Sequence, residues 1–230
     1  MIDLYVDDNL VVWAGRGGAV QFEGSEGLAS LLSRCVVESK SHWRLFDRRA
    51  VRVWVSGALA RPFVVEPVSG LRSVAEAQAL AESAAPGATG LGGPCVVRLE
   101  SIPIERAAIA TAVERRVVDA LVSVLRQGKL TVRSIRPWWA YGLAEVARHQ
   151  RHSQMVCLDD ATTVTLIAGD LQPLAMTLEG CDVAQREAVT RRVWVGQGIG
   201  IERVAIGGLD LSRFGGSGAV VWSALGEAAR

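Results

Sequence analysis

The feature that most constrains the fold is a repeated order of strand and helix patterns in the two halves of the chain. Residues 2–6 and 10–14 are β-rich runs around a turn sequence at 7–9, which predicts a hairpin. A third strand pattern follows at 19–22, and apolar residues at helical spacing begin after Ser25. The second half repeats this order, with strand patterns at 155–158, 162–168 and 171–178 and a helical pattern at 183–195. The repeat predicts an α/β fold of two similar lobes, each with a mixed sheet flanked by helices.

The region between the two hairpins contains the longest helical pattern, at 104–127, with Gly128 directly after it. Ser73 and Glu76 form a capping box that opens a helix reaching to about residue 83. The other predicted elements are strands at 51–55, 62–65, 95–99, 130–135 and 203–206, a helix at 137–149, and a strand or short helix at 219–225.

A Gly- and Pro-rich segment at 86–94 marks the expected connection between the lobes. A strand pattern follows it, which is the wrong order for a phosphate-binding glycine loop, since such a loop lies between a strand and a helix. We therefore predict an N-terminal lobe of residues 1–94 and a C-terminal lobe of residues 95–230.

Composition excludes several classes of function. Among 230 residues, 25 Lys and Arg balance 24 Asp and Glu, so net charge gives no reason to bind nucleic acid or anionic lipid. The longest uninterrupted apolar run, at 10–14, has five residues, far fewer than the roughly 20 that a spanning helix needs. The first residues show no signal-peptide pattern. These features predict a cytoplasmic protein with no membrane insertion of its own.

No metal site is expected from the cysteines and histidines. The four cysteines are far apart and form no CxxC pair, which favours reduced, buried thiols. The pair His149 and His152 has no third ligand nearby in sequence. The remaining residues of these types are Cys35, Cys95, Cys157, Cys181 and His42.

Three segments resemble the nucleotide-binding elements of the actin, Hsp70 and sugar-kinase superfamily. The run Ile2-Asp3-Leu4 before the first turn resembles the first phosphate hairpin, and the run at 156–167 resembles the second. A strand pattern ending in two glycines is similar to the adenosine-contacting turn. The resemblance implies two RNase H/actin-like lobes and the following nucleotide-binding positions: Asp3, Tyr5, Asp159, Ala161, Gly207 and Gly208.

One branch of that superfamily is more similar, namely the PilM proteins of bacterial type IV pilus assembly and the GspL cytoplasmic domains of type II secretion. The matching segments are the strand pair at 51–65, the long helix with the stretch 128–137 after it, and the residues Ala140 and Leu143. The resemblance implies a protein-binding scaffold recruited to the cytoplasmic face of the inner membrane. Its partner would be the cytoplasmic N-terminal segment of a bitopic inner-membrane protein, as for PilM; GspL domains instead bind the secretion ATPase.

The departures from this pattern indicate a lost catalytic function. Tyr5 and Ala161 stand where the two phosphate hairpins have glycine, whose missing side chain allows close approach to phosphate. The first turn also has two carboxylates, Asp7 and Asp8, which repel a triphosphate unless Mg²⁺ intervenes. We therefore predict a nucleotide-binding fold without catalytic residues and without a cofactor. The alternative is an active ATPase or kinase that uses ATP with Mg²⁺.

Three aromatic residues predict a contact surface. Trp138, Trp139 and Tyr141 follow Pro137 within four positions, and on a helix they do not all face one core. At least one is therefore expected near the surface, where it would contact the partner protein. The alternative places one ring in the core and the other in the groove between the lobes. A homodimer remains open.

Overall fold

The computed structural model describes residues 2–15, 18–39, 50–100, 103, 106–140, 143, 155–160, 162–168, 174–179, 188, 192, 203–209 and 222–229. The helices within these residues are α1 (Leu28–Ser39), α2 (Val74–Thr89) and α3 (Arg115–Gln127). The strands are β1 (Ile2–Val6), β2 (Leu10–Gly15), β3 (Gly18–Glu23), β4 (Ala50–Val55), β5 (Ala60–Val65), β6 (Cys95–Leu99), β7 (Ala108–Glu114), β8 (Thr131–Pro137), β9 (Met155–Asp159), β10 (Thr163–Ala168), β11 (Leu174–Glu179), β12 (Arg203–Leu209) and β13 (Trp222–Ala229). The predictions for His42, Tyr141, His149, His152, Ala161 and Cys181 lie outside the described residues, as does the predicted helix at 183–195 except for residues 188 and 192.

Two five-stranded sheets share one strand order and confirm the predicted α/β fold class. The first sheet runs β3-β2-β1-β4-β8 and the second runs β11-β10-β9-β12-β13. In each sheet, the first three strands in chain order pair antiparallel to one another. The next strand of the sheet pairs in parallel with the other edge of the first strand. The last strands differ, because β8 is parallel to β4 whereas β13 is antiparallel to β12. A smaller sheet, β5-β7-β6, packs against α2.

Strand β1 lies at the centre of the molecule and is buried along its whole length. Ile2, Leu4 and Val6 pack in a core with apolar residues of α1 and α3. Tyr5 belongs to a second core that combines residues of both five-stranded sheets, which we call the inter-sheet cluster. Its buried members are Tyr5, Leu10, Val12, Ala14, Trp54, Trp138, Trp139, Val156, Leu158 and Ile167. The two large sheets therefore share a continuous apolar interface.

The segment predicted as one long helix at 104–127 is a strand followed by a helix. Strand β7 pairs with β5 on one side and β6 on the other, and α3 begins only at Arg115. Burial alternates along β7, with Ala108, Ala110 and Ala112 buried and the residues between them half-buried. The prediction was wrong because pairing on both sides outweighed the helical spacing of neighbouring apolar residues.

The Gly- and Pro-rich segment also differs from expectation, since its first residues are helical. The Ser73 cap is confirmed, because its hydroxyl accepts a hydrogen bond from the Glu76 N–H at 3.1 Å. However, α2 continues through Pro86 and ends at Gly90, whose φ of 72° is left-handed. The first sheet contains strands from both predicted lobes, because β4 precedes the boundary at residues 94 and 95 and its partner β8 follows it. The division into two lobes at that point stays a prediction.

Among the described residues, we find no helix with the length and apolarity needed to cross a membrane.

Candidate functional site

The two turns that resemble phosphate hairpins contact each other directly. The Thr162 hydroxyl donates to Asp7 Oδ2 at 2.7 Å, although the two residues are 155 positions apart. The Ser56 hydroxyl donates to the other oxygen of the same carboxylate at 2.6 Å. We call the residues of this contact the polar junction: Asp7, Ser56, Gly57, Trp138, Asp160, Thr162 and Thr163. It joins the two five-stranded sheets at the ends of β1, β4 and β9.

Asp160 is the centre of the polar junction, because its carboxylate accepts five hydrogen bonds. Oδ2 accepts from the Gly57 N–H at 2.8 Å and from the Trp138 indole N–H at 2.5 Å. Oδ1 accepts from the Thr162 N–H at 3.1 Å, the Thr163 N–H at 2.7 Å and the Thr163 hydroxyl at 2.8 Å. We call these five donors the Asp160 nest. Both oxygens are therefore saturated with donors from both lobes.

The turns that carry Asp7 and Asp160 have matching geometry. Each aspartate follows the first strand of its sheet, β1 or β9. Asp7 donates its N–H to the Leu10 carbonyl at 2.7 Å, and Asp160 donates its N–H to the Thr163 carbonyl at 2.9 Å. The repeated strand order thus places two aspartates at equivalent positions in the two sheets, and both take part in the polar junction.

Gly57 allows the turn after β4 to approach the second lobe closely. A Cβ at this position would lie 2.4 Å from Thr163 Oγ1 and 2.8 Å from Thr165 Oγ1, both shorter than real Cβ contacts. Gly57 is buried, as are the two threonines. The missing side chain is therefore a condition for the hydrogen bond from the Gly57 N–H to Asp160.

Both carboxylates of the polar junction, those of Asp7 and Asp160, accept hydrogen bonds from uncharged donors. In the part of the chain that the structure describes, no Lys or Arg forms an ion pair with Asp7 or Asp160. Burial raises the pKa of Asp160, and the hydrogen bonds from Gly57, Thr163 and Thr162 act in the opposite direction. Asp7 is 1% exposed, so it too is removed from solvent.

Asp3 is held by partners within the fold, and the nucleotide-binding role that the resemblance implied stays a prediction. Its carboxylate forms a bidentate ion pair with Arg52 at 2.7 and 2.8 Å, and it accepts a bond from the Trp54 indole at 3.1 Å. Asp3 is buried and lies near the start of β1, whereas the polar junction follows the end of that strand. The ion pair satisfies this carboxylate within the fold. Asp159 is the half-buried last residue of β9.

The other proposed nucleotide positions lie on neighbouring strands, since Gly208 pairs with Asp159 across β12 and β9. Tyr5 is fully buried in the inter-sheet cluster, where its ring takes part in apolar packing. The strand β12 does not end at the glycine pair, because Gly207 and Gly208 continue it and pair with both β9 and β13. The pairing of β12 with β13 has a register shift between Ile206 and Gly207. The adenosine-contacting role of this glycine pair stays a prediction.

Trp138 and Trp139 are both buried, so among the three aromatic residues the expected surface contact is left to Tyr141, which lies outside the described residues. Trp138 is 1% exposed and bonds to Asp160, and Trp139 is fully buried and donates its indole N–H to the Ala60 carbonyl at 2.9 Å. Both rings lie in the inter-sheet cluster. Their N–H groups find partners on opposite sides, so both pack inside although they are adjacent in sequence.

A cleft of about 540 Å³ lies between the turns after β1 and β4, the segment after α2 and the start of α3. The Glu114 carboxylate is buried there, where it accepts from the Gly92 N–H at 2.8 Å and pairs with the exposed Arg116. Arg61 donates to the Ala58 and Thr89 carbonyls and pairs with Glu179 on β11. The cleft is lined by Asp8, Leu28, Ala58, Leu59, Arg61, Gly90, Leu91, Gly92, Glu114, Arg116, Val117 and Ala120.

Asp8, in the lining of this cleft, is influenced by charges of both signs. Burial raises the pKa of Asp8, and the carboxylates of Asp7 and Glu179 raise it further. The Arg61 and Arg116 guanidinium groups act in the opposite direction. The cleft therefore combines apolar lining with charges of both signs.

Comparison with known structures supports the fold. No protein-family model matches the sequence, and no curated protein matches it. A Bacteroides thetaiotaomicron protein with an actin-like ATPase fold and unknown function has a TM-score of 0.58 at 11% identity, over 89% of this chain and 79% of that one. The PilM-PilN type IV pilus biogenesis complex has a TM-score of 0.52 at 16% identity, over 84% and 69%. The cytoplasmic domain of EpsL, an inner-membrane component of the Vibrio cholerae type II secretion system, has a TM-score of 0.45 at 14% identity, over 77% and 69%. The fold is therefore that of the actin-like ATPases.

Proposed function

We propose that this chain is a non-catalytic scaffold that binds a segment of a partner protein in a bacterial type IV pilus or type II secretion assembly. The observation that carries the non-catalytic part is the polar junction. In the actin-like pattern two hairpin turns flank the phosphates of the nucleotide, and here those turns are hydrogen-bonded to each other. The Thr162 hydroxyl reaches Asp7 at 2.7 Å and the Gly57 N–H reaches Asp160 at 2.8 Å. A triphosphate would have to break these bonds.

Electrostatics and packing favour the same proposal. Asp7 and Asp160 present two carboxylates where the pattern places phosphate, and without a compensating cation they repel an anionic ligand. Tyr5 fills the position of the first glycine with a buried ring. Restoring a nucleotide site would therefore require exposing an apolar side chain as well as breaking hydrogen bonds.

The assembly role follows from the likeness to PilM. The chain shares its fold with the structure described as the PilM-PilN type IV pilus biogenesis complex, in which PilM is bound to a second protein. We propose an equivalent scaffold role at the cytoplasmic face of the inner membrane. The partner would be the N-terminal cytoplasmic segment of a bitopic inner-membrane protein.

Titration with Mg·ATP tests the non-catalytic part of this proposal. We expect no binding stronger than about 10 μM, a Kd that corresponds to roughly 7 kcal/mol of binding free energy. Isothermal calorimetry and thermal shift are the measurements. An actin-like ATPase of confirmed activity, titrated in the same buffer, is the positive control. A tighter Kd, or ATP hydrolysis above the buffer rate, would support the active ATPase or kinase instead.

The cleft between the turns after β1 and β4 is the proposed binding site for the partner segment. Its apolar lining offers contact area to the side chains of an extended segment, and Asp8 and Arg116 offer charges of opposite sign for its orientation. None of the residues that line the cleft belongs to the buried inter-sheet cluster.

Substitution of Ala120 by arginine tests this site, because the longer side chain fills the cleft from α3. We expect at least a tenfold loss of affinity, about 1.4 kcal/mol, for a peptide from the cytoplasmic N-terminus of a bitopic inner-membrane protein encoded in the same genome. Ser123→Arg, at an exposed position of the same helix outside the cleft, is the matched control. Fluorescence anisotropy measures both. Equal affinities of the two variants would refute the cleft as the binding site.

A further inference from the structure

We propose that the Asp160 nest is a preformed binding site for a small oxyanion and that the protein's own carboxylate occupies it. All five donors converge on the two oxygens of one side chain, at 2.5 to 3.1 Å. Three of the donors are backbone N–H groups, which are fixed by the turns and do not depend on the Asp160 side chain itself. Such concentrations of N–H groups are typical of anion sites in proteins.

The origin of the donors supports this inference. A turn aspartate commonly bonds to the N–H groups of its own turn, and the bonds from Thr162 and Thr163 are of that kind. Gly57 follows β4 and Trp138 follows β8, two strands of the first five-stranded sheet, and their N–H groups complete the set of donors to Asp160. Local turn geometry does not require these two donors. They make the nest a site shared between the two sheets.

The charge of the site explains why an internal anion fills it. The donors are neutral and only donate, except for the Thr163 hydroxyl, so the nest is satisfied only by an acceptor. A water molecule offers fewer acceptor positions and no negative charge. The Asp160 carboxylate thus acts as an autoinhibitory ligand that holds the lobes together and keeps outside anions from the nest.

Removal of this carboxylate in the full chain tests the inference. We expect Asp160→Ala to lower Tm by about 5 to 10 °C in chloride buffer, since five donors lose their acceptor. Formate, which is the missing carboxylate without its tether, should recover at least half of this loss in a concentration-dependent manner. Inorganic phosphate tests whether the nest also accepts a tetrahedral oxyanion, and recovery by either anion supports the proposal.

Two variants serve as controls at matched ionic strength. Thr162→Ala removes the bond to Asp7 but leaves the Asp160 carboxylate in the nest, so neither anion should restore its Tm. Asp160→Asn keeps the nest sterically filled, so it should not respond either. Equal recovery of the controls, or no recovery of Asp160→Ala by formate and phosphate relative to chloride, would overturn the proposal. Failure of Asp160→Ala to fold in all three salts would count against it equally.

The inference rests on the proposed loss of nucleotide binding, but the two fail separately. Anion rescue concerns the Asp160→Ala variant, whereas the Mg·ATP titration concerns the wild-type chain. ATP binding by the wild type with normal anion rescue would overturn only the proposed function. The reverse result would overturn only the Asp160 nest.

Discussion

Replacing Trp138 with alanine should lower the free energy of unfolding by about 3 to 5 kcal/mol, the range found for deletion of large buried aromatic side chains. Trp138 is 1% exposed and packs in the inter-sheet cluster, which belongs to both large sheets. The substitution therefore removes apolar contacts at the interface between the sheets and the indole donor to Asp160. Urea unfolding followed by circular dichroism measures the effect.

Phenylalanine at the same position separates the two contributions. Trp138→Phe keeps much of the packing but removes the 2.5 Å bond to Asp160, and loss of a bond to a charged group costs about 1.5 to 3 kcal/mol. Trp139→Phe is the matched control, because its indole donates to the neutral Ala60 carbonyl and its loss should cost less, about 0.5 to 1.5 kcal/mol plus the same change in packing. Equal stability of the two variants would contradict a charged acceptor at Trp138.

Replacing Gly57 with alanine should lower the free energy of unfolding by about 1 to 3 kcal/mol, as overpacking of a close contact does. The added methyl group would lie 2.4 Å from Thr163 Oγ1, so either the turn after β4 or the second hairpin must move. Such movement lengthens the bond from the Gly57 N–H to Asp160. Denaturant unfolding monitored by tryptophan fluorescence is a suitable measurement.

A matched glycine and a double variant make this prediction specific. Gly93→Ala is the control, since a Cβ there meets nothing within 4 Å, and its effect should stay within about 0.5 kcal/mol. The double variant Gly57→Ala with Thr163→Ala removes the clashing hydroxyl, so the two losses should be clearly less than additive. Additive losses would show that the predicted clash does not determine stability.

Local sequence patterns predicted much of the secondary structure because hairpin turns and helix caps depend on neighbouring residues. The first hairpin and the Ser73 cap were confirmed for this reason. The 104–127 segment failed because alternating alanines in β7 carry little apolar signal, and only the partners β5 and β6 make the strand favourable.

The candidate site was predicted only in outline. The resemblance pointed to the two hairpin turns, and the structure places those turns in contact. It also pointed to Asp3, whereas the aspartates that meet between the lobes are Asp7 and Asp160. The sequence does carry a signal for Asp7 and Asp160, since each follows the first strand of one of the two matching sheets. This signal is recognised only after the strand orders of the two sheets have been aligned.

The sequence by itself determined the α/β class and the repeated lobe order, because alternation of apolar residues and turn-forming residues acts over a few positions. Only the tertiary structure decided what the turns do. The bond between Thr162 and Asp7 joins residues 155 positions apart, and that between Gly57 and Asp160 joins residues 103 apart. Burial of both Trp138 and Trp139 likewise required hydrogen-bond partners from other elements, namely Asp160 and Ala60. Contacts over such distances follow from the packing of two completed sheets, which no local pattern encodes.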